Sequence, residues 1–153
     1  VVLTRWLVLA SIAWPLTLGA AAAHRVAHPP GERSVWVAIV YAAAHLVCHQ
    51  KPERTLHTRD VAWPVCARCT GLYLAAPIGA LLWAWRRPRV RQGALMLGLA
   101  AAPTVVTVVW EWAGLGMPPN LVRLVTAVPL GAAVAAVLVQ VTTESGVVSK
   151  ATR

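Results

Sequence analysis

Apolar residues along this chain fall into five uninterrupted runs, at 6–23, 35–47, 70–85, 93–110 and 124–141, and none of the runs contains a formal charge. Polar and charged positions are confined to the connections and the ends. At about 1.5 Å per residue, helices over the first, fourth and fifth runs approach the ~30 Å hydrocarbon core of a bilayer, while the second and third fall short. Both short runs flank the same connection, residues 48–69. Either the bilayer thins there or the connection is recessed into the bundle, which non-helical backbone tolerates only where protein covers it or it lines a polar cavity. The pattern predicts an all-α integral membrane bundle of five short transmembrane helices. No long internal repeat, low-complexity tract or linker divides residues 1–153, so the chain reads as one domain.

Tryptophan placement agrees with these spans. Trp6, Trp36, Trp63, Trp83, Trp85, Trp110 and Trp112 lie at or near run ends, where amphipathic rings prefer the headgroup region, and only Trp14 is mid-run. Composition then excludes several classes. With hydrophobic residues at 58%, charged residues at 12% and a mean hydropathy of +0.63, the chain is neither an ordinary soluble enzyme nor disordered. Its 14 Lys+Arg against 5 Asp+Glu give a net charge of +9. On so apolar a chain that excess points to a lipid bilayer and not to nucleic acid, whose binding needs a basic face beside a soluble core. Three cysteines are too few for a secreted disulfide scaffold.

Arg86, Arg87, Arg89 and Arg91 crowd the turn between the third and fourth runs, the strongest cytoplasmic signal in the chain. Alternation through five crossings of the cell membrane then places Arg25, Arg33, Lys150, Arg153 and the carboxyl terminus inside. The amino terminus and the connections 48–69 and 113–123 fall outside. A signal peptide is the alternative for the first run, since Arg5, an apolar stretch and the small residues 19–23 imitate its three regions. Cleavage would move the four-arginine turn outside, so the positive-inside bias favours an uncleaved helix.

Candidate chemistry gathers at the two ends of one connection. Cys48-His49-Gln50 closes the second run, and Cys66-Ala67-Arg68-Cys69-Thr70-Gly71 opens the third. If the second helix continues to His49, His45 and His49 share a face at i,i+4, with Cys48 one turn from His45, and Cys66 and Cys69 share a face at i,i+3. Pro64 then suits the first turn of the third helix. Cys48, His49, Cys66 and Cys69, with His45 as the substitute fourth ligand, would make a Cys3His zinc site. Apolar packing is the plainer use of membrane cysteines, but their clustering beside two histidines favours a metal site. The same thiols permit a second chemistry, a Cys-x-x-Cys dithiol with Cys48 as resolving thiol and Arg68 favouring the thiolate. Covalent haem is not supported, because Thr70 follows Cys69.

Glu111, Asn120 and Arg123 end the fourth run and open the fifth, at the same membrane level as the cysteines, with Thr107 one turn from Glu111. Glu111 is expected either to pair with Arg123 or Arg68, or to face a polar pocket lined by Arg68, Glu111, Asn120 and Arg123. Gly71 and Gly79 suit close helix approach. No phosphate loop, dinucleotide fingerprint, His-Glu-x-x-His or serine elbow occurs.

Cys48-His49-Gln50-Lys51-Pro52-Glu53-Arg54-Thr55, followed by Pro64-Val65-Cys66-Ala67-Arg68-Cys69-Thr70-Gly71-Leu72-Tyr73, resembles the signature of a bacterial and archaeal family of small membrane proteins of unknown function. A later block, Asn120-Leu121-Val122-Arg123-Leu124-Val125-Thr126, resembles the family's Asn-x-x-Arg-x-x-Thr, with Ala127 where glycine is common. Thr107 and Glu111 stand where the family often carries an Asp and a Gln. The resemblance covers residues 44–131 and implies a polytopic membrane protein without implying a reaction. The leading expectation is thus a zinc-binding membrane protein. A membrane thiol-disulfide oxidoreductase is the first alternative, and a small carrier or assembly partner, active as a homo-oligomer, is the second.

Overall fold

The computed structural model describes residues 2–28, 34–86 and 93–151, with side chains described there except at 86 and 144–151. Arg33, Arg87, Arg89, Arg91 and Arg153 lie outside the described residues. In chain order the elements are α1 (Val2–Ala27), α2 (Val35–Val47), a 3-10 turn (Pro52–Arg54), β1 (Thr55–Thr58), β2 (Val61–Cys66), α3 (Ala67–Arg86), α4 (Gly93–Trp112) and α5 (Asn120–Ala151). The architecture is an all-α membrane bundle. Three of its helices, α1, α4 and residues 120–143 of α5, are long and apolar enough to cross a bilayer. Large apolar side chains such as Leu9, Leu16, Leu99, Val106 and Leu138 point outward, a surface that hydrocarbon covers and water would not tolerate. Although α3 is less apolar, it too exposes Leu74, Ile78, Leu81, Leu82 and Trp85 at helical spacing.

The tightest packing joins α3 to α5, which run parallel. Gly71 lies against Leu124 and Ala127, Gly79 against Ala132, and Gly131 against Leu72. A Cβ at any of these glycines would collide with the facing backbone carbonyl, so the crossing depends on their lack of a side chain. Further along the pair, Ala80 and Trp83 pack on Ala135 and Val139. Between them in sequence, α4 returns antiparallel, and its Thr104 hydroxyl donates to the Thr126 carbonyl at 2.9 Å.

Helix α1 corrects the expected topology. Val8 packs on the cluster of Ala80, Trp83 and Val139, and the Thr4 hydroxyl meets those of Thr142 and Thr143 at 3.4 and 3.3 Å. The amino-terminal turns of α1 thus lie beside the carboxyl-terminal turns of α5, where five alternating crossings would separate them. The discrepancy resides in α2. Its 13 residues span only about 20 Å, too short to cross. It folds back along the second half of α1 instead: Val37, Val40 and Ala44 pack with Leu18 and Ala21, and His24 meets Trp36 edge-on at 5.3 Å. Four helices traverse the bundle and α2 does not.

The connection from α2 to α3 is a β-hairpin, unforeseen in an all-α reading. Thr55 pairs with Cys66 and Thr58 with Val61, with an irregularity between Thr55 and His57. Arg59 takes a left-handed φ of 46° in the two-residue turn, and the Trp63 indole donates to the Thr58 hydroxyl at 2.9 Å. β-Branched and aromatic residues at Thr55, Thr58, Val61, Trp63 and Val65 favour this pleated form. Pro64 is accordingly a buried residue of β2 and not part of the third helix. Helices α3 and α5 start at Ala67 and Asn120, earlier than the apolar runs, because each first turn accommodates polar residues that feed the site.

Candidate metal centre and its cationic neighbour

Three different backbone settings deliver the thiols. Cys48 follows α2 in an extended conformation (φ −146°, ψ 136°), Cys66 ends β2, and Cys69 is in the first turn of α3. Their sulfurs all lie within 4.8 Å of one another. Gln50 makes this convergence possible. With a left-handed φ of 47°, it turns the chain after Cys48, and its side-chain amide donates to the Tyr41 carbonyl at 2.9 Å and the Pro64 carbonyl at 2.6 Å. That one amide ties the middle of α2 to β2. The Cys66 N–H then donates to Cys48 Sγ at 3.2 Å, and the Thr70 hydroxyl to the Cys66 carbonyl at 3.1 Å. Cys48 and Cys66 are buried with Leu18, Ala44 and Val65, while Cys69 is half-buried near Trp14 and Tyr73, whose rings meet edge-on at 6.2 Å.

This arrangement replaces the helical geometry expected from the spacing. Cys66 precedes α3, so it does not share a helix face with Cys69, and neither Cys48 nor His49 belongs to α2. Neither His45 nor His49 joins the thiols. Both side chains are exposed, and His49 Nδ1 accepts the Lys51 N–H at 3.2 Å. Within the triad, the Cys69 thiol donates to Cys66 and holds the Cys66 thiol well below its ordinary range. Burial opposes this; the Cys69 N–H, the Cys48 thiol and His49 assist it. Thiolate character is what a soft metal requires. Zinc–sulfur bonds of about 2.3 Å in a tetrahedral set put sulfurs about 3.8 Å apart, within the envelope these residues occupy.

Next to the thiols, Glu111 collects three guanidinium groups. Arg123 Nη2 lies 3.0 Å from Oε1, Arg68 Nη2 contacts the same oxygen, and Arg54 Nη2 lies 3.6 Å from Oε2. Arg123 is 1% exposed and the Glu111 side chain 8%. Arg68 also donates to the Thr107 hydroxyl at 3.4 Å. Asn120, expected to line a pocket, clasps the hairpin instead: its amide donates to the Glu53 carbonyl at 3.4 Å and the Thr55 carbonyl at 3.0 Å. Gln50 is the contributor that sequence reasoning did not place; Arg54 stands among the cations that gather around the cysteines in the sequence, but its pairing with Glu111 was not foreseen. A glutamine beside a Cys-His pair reads as an ordinary polar residue, and nothing in the chain's periodicity brings the 3-10 turn to the end of α4. Thr107 also lines an apolar cleft of about 430 Å³ with Val106, Trp110, Leu115, Met117 and Val122.

The fold and this buried polar end define a small polytopic membrane protein with a thiol cluster that can accept a metal ion. The family described as a predicted membrane protein, DUF2085, matches residues 48–137, and the chain belongs to it. An uncharacterized protein of Methanothermobacter thermautotrophicus is 37% identical over 87 residues, covering 56% of this chain and 78% of its own length. An uncharacterized protein of Methanocaldococcus jannaschii is 36% identical over 44 residues, 29% of this chain and 28% of its own. No solved structure matches.

Proposed function

We propose that Cys48, Cys66 and Cys69 hold one metal ion, zinc, and that it fastens α2, the hairpin and α3 together at one end of the bundle. The observation that carries this reading is the convergence of three sulfurs from three separate elements to within 4.8 Å. With His45 and His49 turned to the surface, the three sulfurs leave the fourth tetrahedral position to water or to an incoming ligand, the pattern of catalytic zinc. If the four-arginine turn is cytoplasmic, this end of the bundle faces outside, and the paired ends of α1 and α5 face the cytoplasm in the cell membrane.

The test is a metal count on the full chain, purified in detergent without chelators. About one zinc per chain is expected, and Cys66→Ser should bring the count near zero while the protein still elutes as the parent does. Wild-type protein without stoichiometric metal would sink the proposal. The nearness of the Cys66 and Cys69 sulfurs, within 4.8 Å, supports a second reading, in which Cys66 attacks an external disulfide and Cys69 resolves the mixed disulfide. Alkylation and mass spectrometry separate the two: a Cys66–Cys69 disulfide that exchanges with added dithiol selects the redox reading.

A further inference from the structure

The cluster around Glu111 is not electrically closed. Three guanidinium groups share one carboxylate, which leaves two positive charges uncompensated at the buried end of a membrane bundle. The hydrogen bonding is equally incomplete. Nε of Arg54, Nε of Arg68, and Nε and Nη1 of Arg123 are shielded from solvent without a hydrogen-bond acceptor, and Nη2 of Arg123 meets Glu111 as an ion-pair contact alone. Arg123 is nearly inaccessible at 1%, so bulk solvent does not reach it. Buried cations in this state are strongly destabilising unless a counter-charge is present. Three thiolates on one zinc ion keep a single net negative charge between them, which offsets part of the excess without supplying oxygen acceptors to the guanidinium groups.

What the cluster lacks is an anion with several acceptor oxygens and one to two negative charges. A carboxylate has one charge and two oxygens. A phosphate monoester has up to two charges and three terminal oxygens, and planar guanidinium forks match it with paired hydrogen bonds. We propose that Arg54, Arg68 and Arg123 form a binding site for a phosphate group, with Glu111 spacing the three guanidinium groups. Arg54 is the way in: its side chain is 31% exposed and it is the most loosely paired with Glu111, at 3.6 Å. Thr107, which accepts from Arg68, also borders the apolar cleft, so a phosphate in the site stands beside a channel suited to hydrocarbon. A free phosphate and a lipid headgroup present the same chemistry to the site.

The test uses the full chain in nanodiscs of phosphatidylcholine. One arm titrates inorganic phosphate calorimetrically; the other exchanges in dioleoyl phosphatidic acid and counts lipids retained per chain by native mass spectrometry. Saturable binding of one phosphate per chain assigns the free anion, and selective retention of phosphatidic acid alone assigns the headgroup. In whichever arm binds, Arg54→Gln should weaken the affinity about tenfold or more, the scale of one charge-assisted hydrogen bond. Arg123→Lys, which keeps the charge but loses the fork, should weaken it as well. Each variant is compared at a matched melting temperature. Binding in neither arm, or binding that both substitutions leave unchanged, overturns the site. Metal counted on the same samples reports separately on the thiols.

Discussion

Cys48, Cys66 and Cys69 bring small polarisable groups into an apolar setting, whereas Arg54, Arg68 and Arg123 bring three cations around a single carboxylate. The thiols sit comfortably as packing groups among Leu18, Ala44 and Val65 and acquire charge only on losing protons. The guanidinium groups have no neutral state to retreat to. A metal would thus add to a thiol cluster that packs well without it, whereas the guanidinium groups outnumber the one carboxylate they meet among the described residues. The supporting scaffold differs in the same way. One residue, Gln50, largely assembles the thiols over a short stretch of chain; the arginines are collected from the 3-10 turn, α3 and α5 onto the end of α4.

The most severe way to break this contrast is Glu111→Ala, which strips the one carboxylate that meets the three guanidinium groups among the described residues. Leaving buried charges unpaired typically costs about 3–5 kcal/mol, so the variant should lose most of its folded yield in detergent. A melting temperature equal to the parent's would show that the arginines are not buried as described. Gly79→Leu attacks the crossing that sets Arg68 against Arg123. Overpacking of about 1–3 kcal/mol is expected, with phosphate binding affected before metal content, since Arg68 and Arg123 both ride on the crossing helices whereas Cys69 is the one thiol that does. The mildest change is Asn120→Ala, which frees the hairpin from α5. Loss of hydrogen bonds worth about 1 kcal/mol each should appear as faster amide exchange across residues 55–66, with exchange along the α3–α5 crossing unchanged.

The membrane character of the chain was legible because uncharged apolar runs of bilayer length are rare in proteins that fold in water. The path of α2 was less so: an apolar run of 13 residues looks alike whether it crosses or folds back on α1, and it takes the packing of α1 on α2 and on the far end of α5 to tell them apart. Cysteine clustering was visible because all three residues flank one connection. Their backbone setting was not, since a hairpin ending in Cys66 and a helix beginning near it share the same letters. Glu111 stood out as a rare acid at a helix end, yet Arg54 reaches it through tertiary folding that no local pattern encodes.

The glycine crossing has one further consequence. Arg68, Cys69 and Arg123 are all carried by the two helices whose backbones touch at Gly71, Gly79 and Gly131. Contact between backbones has no flexible side chains to absorb sliding, so these residues share a single rigid frame. Any opening that admits a ligand must come from the parts outside it, the hairpin that Asn120 holds down and the end of α4 that presents Glu111. The three glycines mark the side of the site that is held fixed.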